Sequence, residues 1–159
     1  MSYAETMSAM AAKRQEITAL RKELRDMQAA VEPQAVTDYE FAGRDGPVKL
    51  SALFGDKNEL FVIHNMGTGC VYCTLWADGF NGVYDHLANR AAFVLTSPNT
   101  PEVQQQFARG RGWRFPMVSH QGSDFAKDMG PGDDFCAVWH FLDLLPEGSA
   151  GWSPKFKYA

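Results

Sequence analysis

Two short apolar segments on either side of a helix-compatible stretch constrain the fold of this chain most strongly. Residues 60–65 read LFVIHN and residues 91–96 read AAFVLT. Continuous apolar runs of this length, rich in strand-forming residues, are typical of buried strands. The stretch between them suits one crossover helix, in which we expect Gly79 and Gly82 to cause a break or a bend. The pattern predicts two parallel strands joined by a right-handed crossover, and hence an α/β fold.

Further elements are predicted on both sides of this unit. Residues 37–53 carry strand-forming side chains around a Gly-Arg-Asp-Gly-Pro turn and predict a hairpin. Thr100 and Pro101 are typical of a helix start, and this helix should end near Gly110. The remaining predictions are a short strand at 115–119, a loop that can include one helical turn at 120–130, and a last amphipathic helix at 135–145.

The first 35 residues form a separate predicted element. Residues 5–31 are dense in residues that favour helix, Ser2 and Glu5 have the spacing of a capping box, and Pro33 cannot continue the helix. The apolar residues recur at spacings that place them on one stripe. We expect this stripe to dock against its own domain, and pairing with the same helix of a second subunit, giving a homodimer, is the alternative. The stripe consists of Met10, Ile17, Leu20, Leu24, Met27 and Val31.

Charge and cysteine content exclude several classes of function. The formal net charge is -4, and the basic residues do not form the stripe that nucleic-acid binding needs. The sequence contains neither a signal-peptide pattern nor an apolar stretch approaching the ~20 residues of a membrane span, so we expect no membrane partner. Three cysteines, two of them close together, are not the framework of a disulfide-stapled secreted protein. We therefore expect a reducing, cytoplasmic location.

The strongest chemical signal is the segment CVYC, in which Cys70 directly follows a buried strand and opens the predicted helix. A thiol at a helix N-terminus faces unpaired N–H groups and the positive end of the helix dipole, which favour its thiolate. Cys70 is therefore the predicted nucleophile. Cys73 is the predicted resolving thiol, because two intervening residues bring its sulfur close enough to attack a mixed disulfide.

Inert thiols and half of a zinc site are the alternatives to a redox pair. No second Cys-x-x-Cys segment and no clustered histidine pair completes four metal ligands. We therefore expect no metal and no tightly bound cofactor.

Three neighbouring residues are candidates for substrate binding. Gly69, together with Gly67, would let a partner chain approach Cys70 closely. Tyr72 lies between the two cysteines and should be exposed. His64 ends the strand six residues before Cys70, so it could be an acid-base or electrostatic partner of the thiolate. A histidine that only hydrogen-bonds to the backbone at a strand end explains it equally well.

Other polar residues have competing explanations. Asp78 could accept the proton of the resolving thiol, or it could belong to an Asp-Gly turn. Arg109, Arg111 and Arg114 form a local basic cluster that is either solvated loop or a site for an anionic substrate group. Cys136 lies on the apolar side of the predicted last helix, and we expect it to behave as a small hydrophobic residue.

Residues 39–158 resemble a bacterial family of thioredoxin-like proteins, long regarded as of unknown function and often described as predicted dithiol-disulfide oxidoreductases. The resemblance rests on NMGTGCVYCTLWADGF and its continuation to residue 130, and on YEFAGRDGPVKLSALFG, PGDDFCAVWHFLDLLPEG and GWSPKFKY. It implies a thioredoxin-like domain over residues 36–159, close to the peroxiredoxin branch, with helices flanking the sheet. It also places Cys70 and Cys73 at the dithiol positions of the family.

The resemblance is interrupted at one point. Similar proteins carry a Pro-Gly turn and a pair of strands before the PGDDFC segment, whereas here Gly130 is followed directly by Pro131. A sheet without these strands would leave much apolar surface uncovered, so we expect that a segment is missing from the numbering between these two residues.

The sequence thus predicts a thiol-disulfide oxidoreductase that acts on a disulfide-containing protein or a small thiol substrate. A peroxidase is a close variant, but peroxide reduction needs an activating arginine and a hydroxyl near the thiolate, and Thr68 and Thr74 only partly suit that role. The alternative is a catalytically silent binding protein with a thioredoxin fold, acting through its N-terminal helix or its aromatic face.

Overall fold

The computed structural model describes residues 2–129 and 150–157. The chain divides into two compact units, Met1–Thr37 and Asp38–Ala159. The predicted helix at 135–145, Cys136 and the junction between Gly130 and Pro131 lie outside the described residues.

The first unit contains a single helix, α1 (Tyr3–Ala29). The predicted capping box is confirmed, because the Glu5 N–H donates to Ser2 Oγ at 3.2 Å and the Ser2 N–H donates to the Glu5 carboxylate at 2.6 Å. The hydrogen bond from the Ser2 backbone lowers the pKa of Glu5. These bonds satisfy N–H groups that have no partner within the first turn. The helix buries none of its residues.

The second unit is an α/β fold built on a mixed five-stranded sheet in the order β2-β1-β5-β4-β3. Strands β3, β4 and β5 run parallel to one another, and β1 is antiparallel to both β5 and β2. The strands are β1 (Glu40–Gly43), β2 (Gly46–Lys49), β3 (Leu60–His64), β4 (Ala92–Ser97) and β5 (Met117–Ser119). The predicted hairpin is β1-β2, and the predicted parallel pair is β3-β4, with His64 opposite Thr96.

The described residues of this unit also form three helices and a 3-10 helix. They are a 3-10 helix (Leu50–Phe54), α2 (Val71–Arg90), α3 (Pro101–Arg111) and α4 (Phe125–Met129). Thr100 occupies the N-cap of α3 and Pro101 its first turn, as predicted. This helix ends one residue beyond the predicted Gly110, because Gly112 with φ 70° adopts the left-handed conformation that terminates it.

Of the break or bend expected at Gly79 and Gly82, the break does not occur, because α2 continues through both glycines to Arg90. Each glycine costs a helix about 1 kcal/mol relative to alanine. The helix buries Ala77 and packs Phe80 against the sheet, and such packing outweighs the intrinsic preference of exposed glycines.

The core has one cluster on each face of the sheet, as the alternation of side chains along strands requires. Phe41, Val94, Val118 and Phe125 form the first cluster. Ala77, Phe93, Leu95 and Phe115 form the second, on the face that α2 covers. Among the described residues, no helix combines the length and apolar character that crossing a membrane requires.

Candidate functional site

The two cysteines lie at the first turn of α2, where the loop from β3 reaches the helix. Cys70 is the N-cap residue, and its Sγ accepts a hydrogen bond from the Cys73 N–H at 3.1 Å. The Cys70 carbonyl accepts bonds from the Thr74 N–H at 3.0 Å and from the Thr74 hydroxyl at 2.9 Å. The leading sulfur is thus held at the helix start, where free N–H groups stabilise negative charge.

Cys73 lies close enough to Cys70 for the two thiols to interact directly. Both side chains are partly exposed and both thiols are free. Burial raises the pKa of Cys73 to about 11, with a further rise from its hydrogen bond to Cys70 and a small opposing effect of the Met66 N–H. That N–H lies 3.5 Å from the Cys73 sulfur. Cys73 therefore remains protonated near neutral pH.

Asn65 organises the loop before the dithiol, and the sequence analysis did not identify it. Its side chain is buried, and its Oδ1 accepts from the Gly67 N–H at 2.7 Å while its Nδ2 donates to the Cys73 carbonyl at 3.3 Å. Its own N–H donates to the Thr96 carbonyl at 2.8 Å. One side chain thus joins the end of β3 to the first turn of α2. The signal that could have identified it is an asparagine directly after a buried strand and two residues before a glycine, a pattern typical of Asx turns.

At Gly67 both the backbone conformation and the neighbouring atoms require a residue without a side chain, whereas at Gly69 neither does. Gly67 has φ 103°, and a Cβ added there would lie 2.6 Å from Oδ1 of Asn99. The same Oδ1 accepts from the Thr68 N–H at 2.9 Å, so it cannot move away without losing that bond. Gly69, predicted to bind substrate, has open space where a Cβ would be, and its φ is not positive. Only Gly67 therefore needs the freedom of glycine.

Gln104 joins α3 to β4 and β5 next to this loop. Its Nε2 donates to Ser97 Oγ at 2.8 Å and to the Val118 carbonyl at 2.9 Å, which fixes the orientation of the amide. Its Oε1 is buried and has no hydrogen-bond partner within the described part of the chain. A cavity of about 10 Å³, lined by Gln104, Asn65 and Asn99 among others, lies beside the loop. A space of this size holds about one water molecule.

His64 lies on the face of the sheet that is opposite to α2. Its ring stacks on Phe125 at 6.1 Å and lies 5.0 Å from the ring of His120, both measured between ring centroids. Within residues 2–129 and 150–157 it makes no hydrogen bond to either thiol. Burial lowers the pKa of both histidines, and the charge of His64 lowers that of His120 further. The structure thus pairs His64 with His120, which hydrogen-bonds to Thr96 at 3.1 Å.

The remaining candidates are placed as follows. Tyr72 is exposed beside the dithiol. Asp78 binds Arg111 through two hydrogen bonds and accepts from Trp113 Nε1 at 2.8 Å, so its carboxylate is already occupied. Arg114 pairs with Asp85 at 2.9 Å, so two of the three arginines of the basic cluster are paired with carboxylates, and Arg109 lines a separate cavity.

The possibility of a metal site can be addressed for the described ranges alone. In residues 2–129 and 150–157, no group of three or more His, Cys, Asp or Glu side chains is arranged to hold a metal ion.

The first 134 residues, which include the loop, both cysteines and all five strands, match the family described as "Bacterial protein of unknown function (DUF899)". The chain belongs to this family. No curated protein matches the chain. The family therefore covers the whole candidate site and assigns no chemistry to it.

Proposed function

We propose that this member of the DUF899 family is a thiol-disulfide oxidoreductase whose second unit is a thioredoxin-like domain of the peroxiredoxin branch. The observation that carries the proposal is the pair of free thiols at the start of α2, in which Cys70 Sγ accepts from the Cys73 N–H at 3.1 Å. A parallel β3-α2-β4 unit with the pair at the helix start supports the proposed fold. A cytoplasmic location is part of the proposal.

The reaction has two steps that balance in sulfur, protons and electrons. The Cys70 thiolate attacks one sulfur of a substrate disulfide, forms a mixed disulfide and releases the first substrate thiolate. Cys73 then gives its proton to that thiolate, attacks the Cys70 sulfur and releases the second thiolate. The substrate gains two electrons, the pair becomes a disulfide, and an external thiol reductant restores the pair.

The raised pKa of Cys73 fits this order of events. Its hydrogen bond to Cys70 and the charge of Cys70 both raise that pKa, which is about 11 in the free thiol pair. Both influences disappear once Cys70 is in a mixed disulfide. Cys73 therefore becomes a better nucleophile at the step that needs it, and it stays protonated before that step.

A peroxidase variant has less support from the contacts around Cys70. The Thr74 hydroxyl donates to the Cys70 carbonyl at 2.9 Å and is not directed at the sulfur. Arg111 is bound to Asp78. Consumption of hydrogen peroxide with a thiol reductant at a rate similar to that of disulfide reduction would contradict this preference.

The test is reduction of insulin disulfides by the full chain in the presence of a thiol reductant. We expect Cys70→Ser to abolish the reaction, and Cys73→Ser to accumulate a mixed disulfide that mass spectrometry detects. Cys136→Ala, which alters the third cysteine, is the matched control and should retain activity. An inactive parent protein, or an active Cys70→Ser variant, would refute the proposal.

A silent binding protein is the second candidate, and the apolar stripe of α1 favours it. Ile17, Leu20 and Leu24 on the stripe of α1 are exposed. Burying them requires a surface outside the helix. For the binding-protein candidate, that surface belongs to a second copy of the chain or to another protein, and docking on the second unit of the same chain is the alternative. Sedimentation of the parent protein and of Leu20→Lys would test it, because a dimer through α1 should dissociate in the variant and a monomeric parent would exclude the dimer.

A further inference from the structure

A groove of about 480 Å³ lies between α3 and the C-terminal segment, residues 150–157. It reaches the loop that precedes the dithiol. Thr68, two residues before Cys70, is the lining residue that this loop supplies. Val103 and Phe107 line it from α3, and Phe156 lines it from the C-terminal segment. Clefts of this size accommodate small molecules. A ligand in the groove would therefore contact the loop that precedes the proposed nucleophile.

The groove is built by specific contacts. The rings of Phe107 and Phe156 pack edge to face with centroids 6.4 Å apart. Arg111 Nη1 donates to the Phe156 carbonyl at 2.6 Å, and the rest of the guanidinium binds Asp78. Val103 and Phe156 are each 41% exposed, so apolar surface remains open along the wall. Arg111 thus attaches the C-terminal segment to α3, and its own charge is neutralised.

The charge of the groove differs from that of the chain. The chain carries a formal net charge of -4, whereas the groove lining contains Arg111 and Lys157 and no acidic residue. Among the described carboxylates, none forms an ion pair with Lys157. Because Asp78 neutralises Arg111, Lys157 supplies the positive charge of the lining that has no ion-pair partner among the described residues. An anionic group is favoured there, and an ammonium group is disfavoured.

We propose that this groove binds the non-reacting part of a small disulfide that carries a carboxylate, and directs its S–S bond toward Cys70. This inference rests on the proposed function. The carboxylate contacts Lys157, and the carbon chain packs on Val103 and the aromatic wall. The thiolate of Cys70 attacks the bound disulfide, the first carboxylated thiolate leaves, and Cys73 releases the second as the pair closes.

The test compares three small disulfides of similar size and different charge: 3,3'-dithiodipropionate with carboxylates, 2-hydroxyethyl disulfide without charge, and cystamine with ammonium groups. The pre-reduced full chain reacts with each at low ionic strength. Loss of the two thiols is followed by acid quench, alkylation and mass spectrometry. Each rate is divided by that of the same disulfide with free dithiothreitol, which removes differences in intrinsic reactivity.

We expect the dithiodipropionate rate to exceed the cystamine rate by about three- to tenfold, although the net charge of the chain favours the opposite order. Lys157→Gln should remove this preference, and Lys157→Glu should reverse it. Lys127→Gln, an exposed lysine on α4, makes the same change in net charge and should retain the preference.

The outcomes separate the two proposals. If all three disulfides oxidise the pair without a charge order, or if Lys127→Gln acts like Lys157→Gln, the groove assignment is wrong and the oxidoreductase stands. If none of them, and no insulin disulfide, oxidises Cys70 and Cys73, the proposed function itself fails.

Discussion

The two faces of the sheet place their titratable groups in different surroundings at the same end of β3. On the α2 face, the free thiols of Cys70 and Cys73 are partly exposed. They share a hydrogen bond, and each sulfur also accepts one from a backbone N–H group. On the other face, the rings of His64 and His120 pack together, and burial lowers the pKa of both. Burial opposes the charged form on the histidine face, whereas on the thiol face the two sulfurs also accept hydrogen bonds from backbone N–H groups.

The difference arises from two adjacent residues. Side chains alternate along a strand, so His64 is directed to one face and Asn65 to the other. Asn65 reaches the Cys73 carbonyl at 3.3 Å, whereas His64 reaches Phe125. His64 was a candidate because it lies close to Cys70 in the sequence. The alternation of side chains along the strand, however, directs Asn65 toward the dithiol and His64 away from it.

The largest expected effect comes from Gly67→Ala, which disrupts the loop on the dithiol face. The substitution places a Cβ 2.6 Å from Asn99 Oδ1 and forces alanine to φ 103°. We expect a loss of about 2–3 kcal/mol in the free energy of unfolding and a decrease in disulfide reduction. Urea unfolding and the insulin assay measure both.

Gly69→Ala is the matched control for Gly67→Ala. Its Cβ meets open space, and its φ is not positive. We expect a change within about 0.5 kcal/mol. Equal midpoints for the two variants would show that the loop geometry does not limit stability.

The next largest effect is expected for Asn65→Ala. The variant leaves the Gly67 N–H and the Cys73 carbonyl without their side-chain partners. A buried polar group left unpaired costs about 1–3 kcal/mol. Urea unfolding measures the loss, and Asn58→Ala, at an exposed asparagine, is the control that should change little. A loss of stability no larger than that of the control would mean that the Asn65 side chain does not stabilise the loop before the dithiol.

Much of this fold follows from local patterns in the sequence. The two apolar runs predict β3 and β4, and their parallel pairing is confirmed. Ser2 and Glu5 predict the start of α1, because a capping box involves only residues within one turn. The position of Cys70 at the start of α2 follows from the end of the preceding strand.

The support of the candidate site could not be predicted in the same way. Asn99, which follows β4, accepts from the Thr68 N–H 31 residues away, and Gln104 on α3 bonds to Ser97 and Val118, up to 14 residues away. Gly79 was expected to break or bend α2 because glycine disfavours helix. The helix continues through it, and Ala77 and Phe80 pack against the sheet. Such effects depend on tertiary packing, which a single sequence does not reveal.

A smaller effect is expected on the titration of Cys73. Burial is the main cause of its pKa of about 11, and the bond to Cys70 and the charge of Cys70 are secondary causes. In Cys70→Ala both secondary causes vanish, so the pKa of Cys73 should decrease and remain above its ordinary value. The rate of alkylation by iodoacetamide as a function of pH measures it in this variant. A pKa that does not change would mean that the two thiols do not interact.

The smallest expected effect is on the histidine face. The pKa values of His64 and His120 are lowered from 6.5, so below about pH 6.5 the unfolded chain binds more protons than the folded one. Their contribution to stability is therefore complete above that pH and is lost as the pH falls toward the folded-state values.

Urea midpoints between pH 5 and 8 should decrease toward acid, and less steeply in His64→Phe, which keeps an aromatic ring against Phe125. His86→Gln, at an exposed histidine on α2, should leave the slope unchanged. If His64→Phe has the slope of the parent protein, burial of His64 does not oppose its charged form, and this ring does not contribute to the pH dependence of stability.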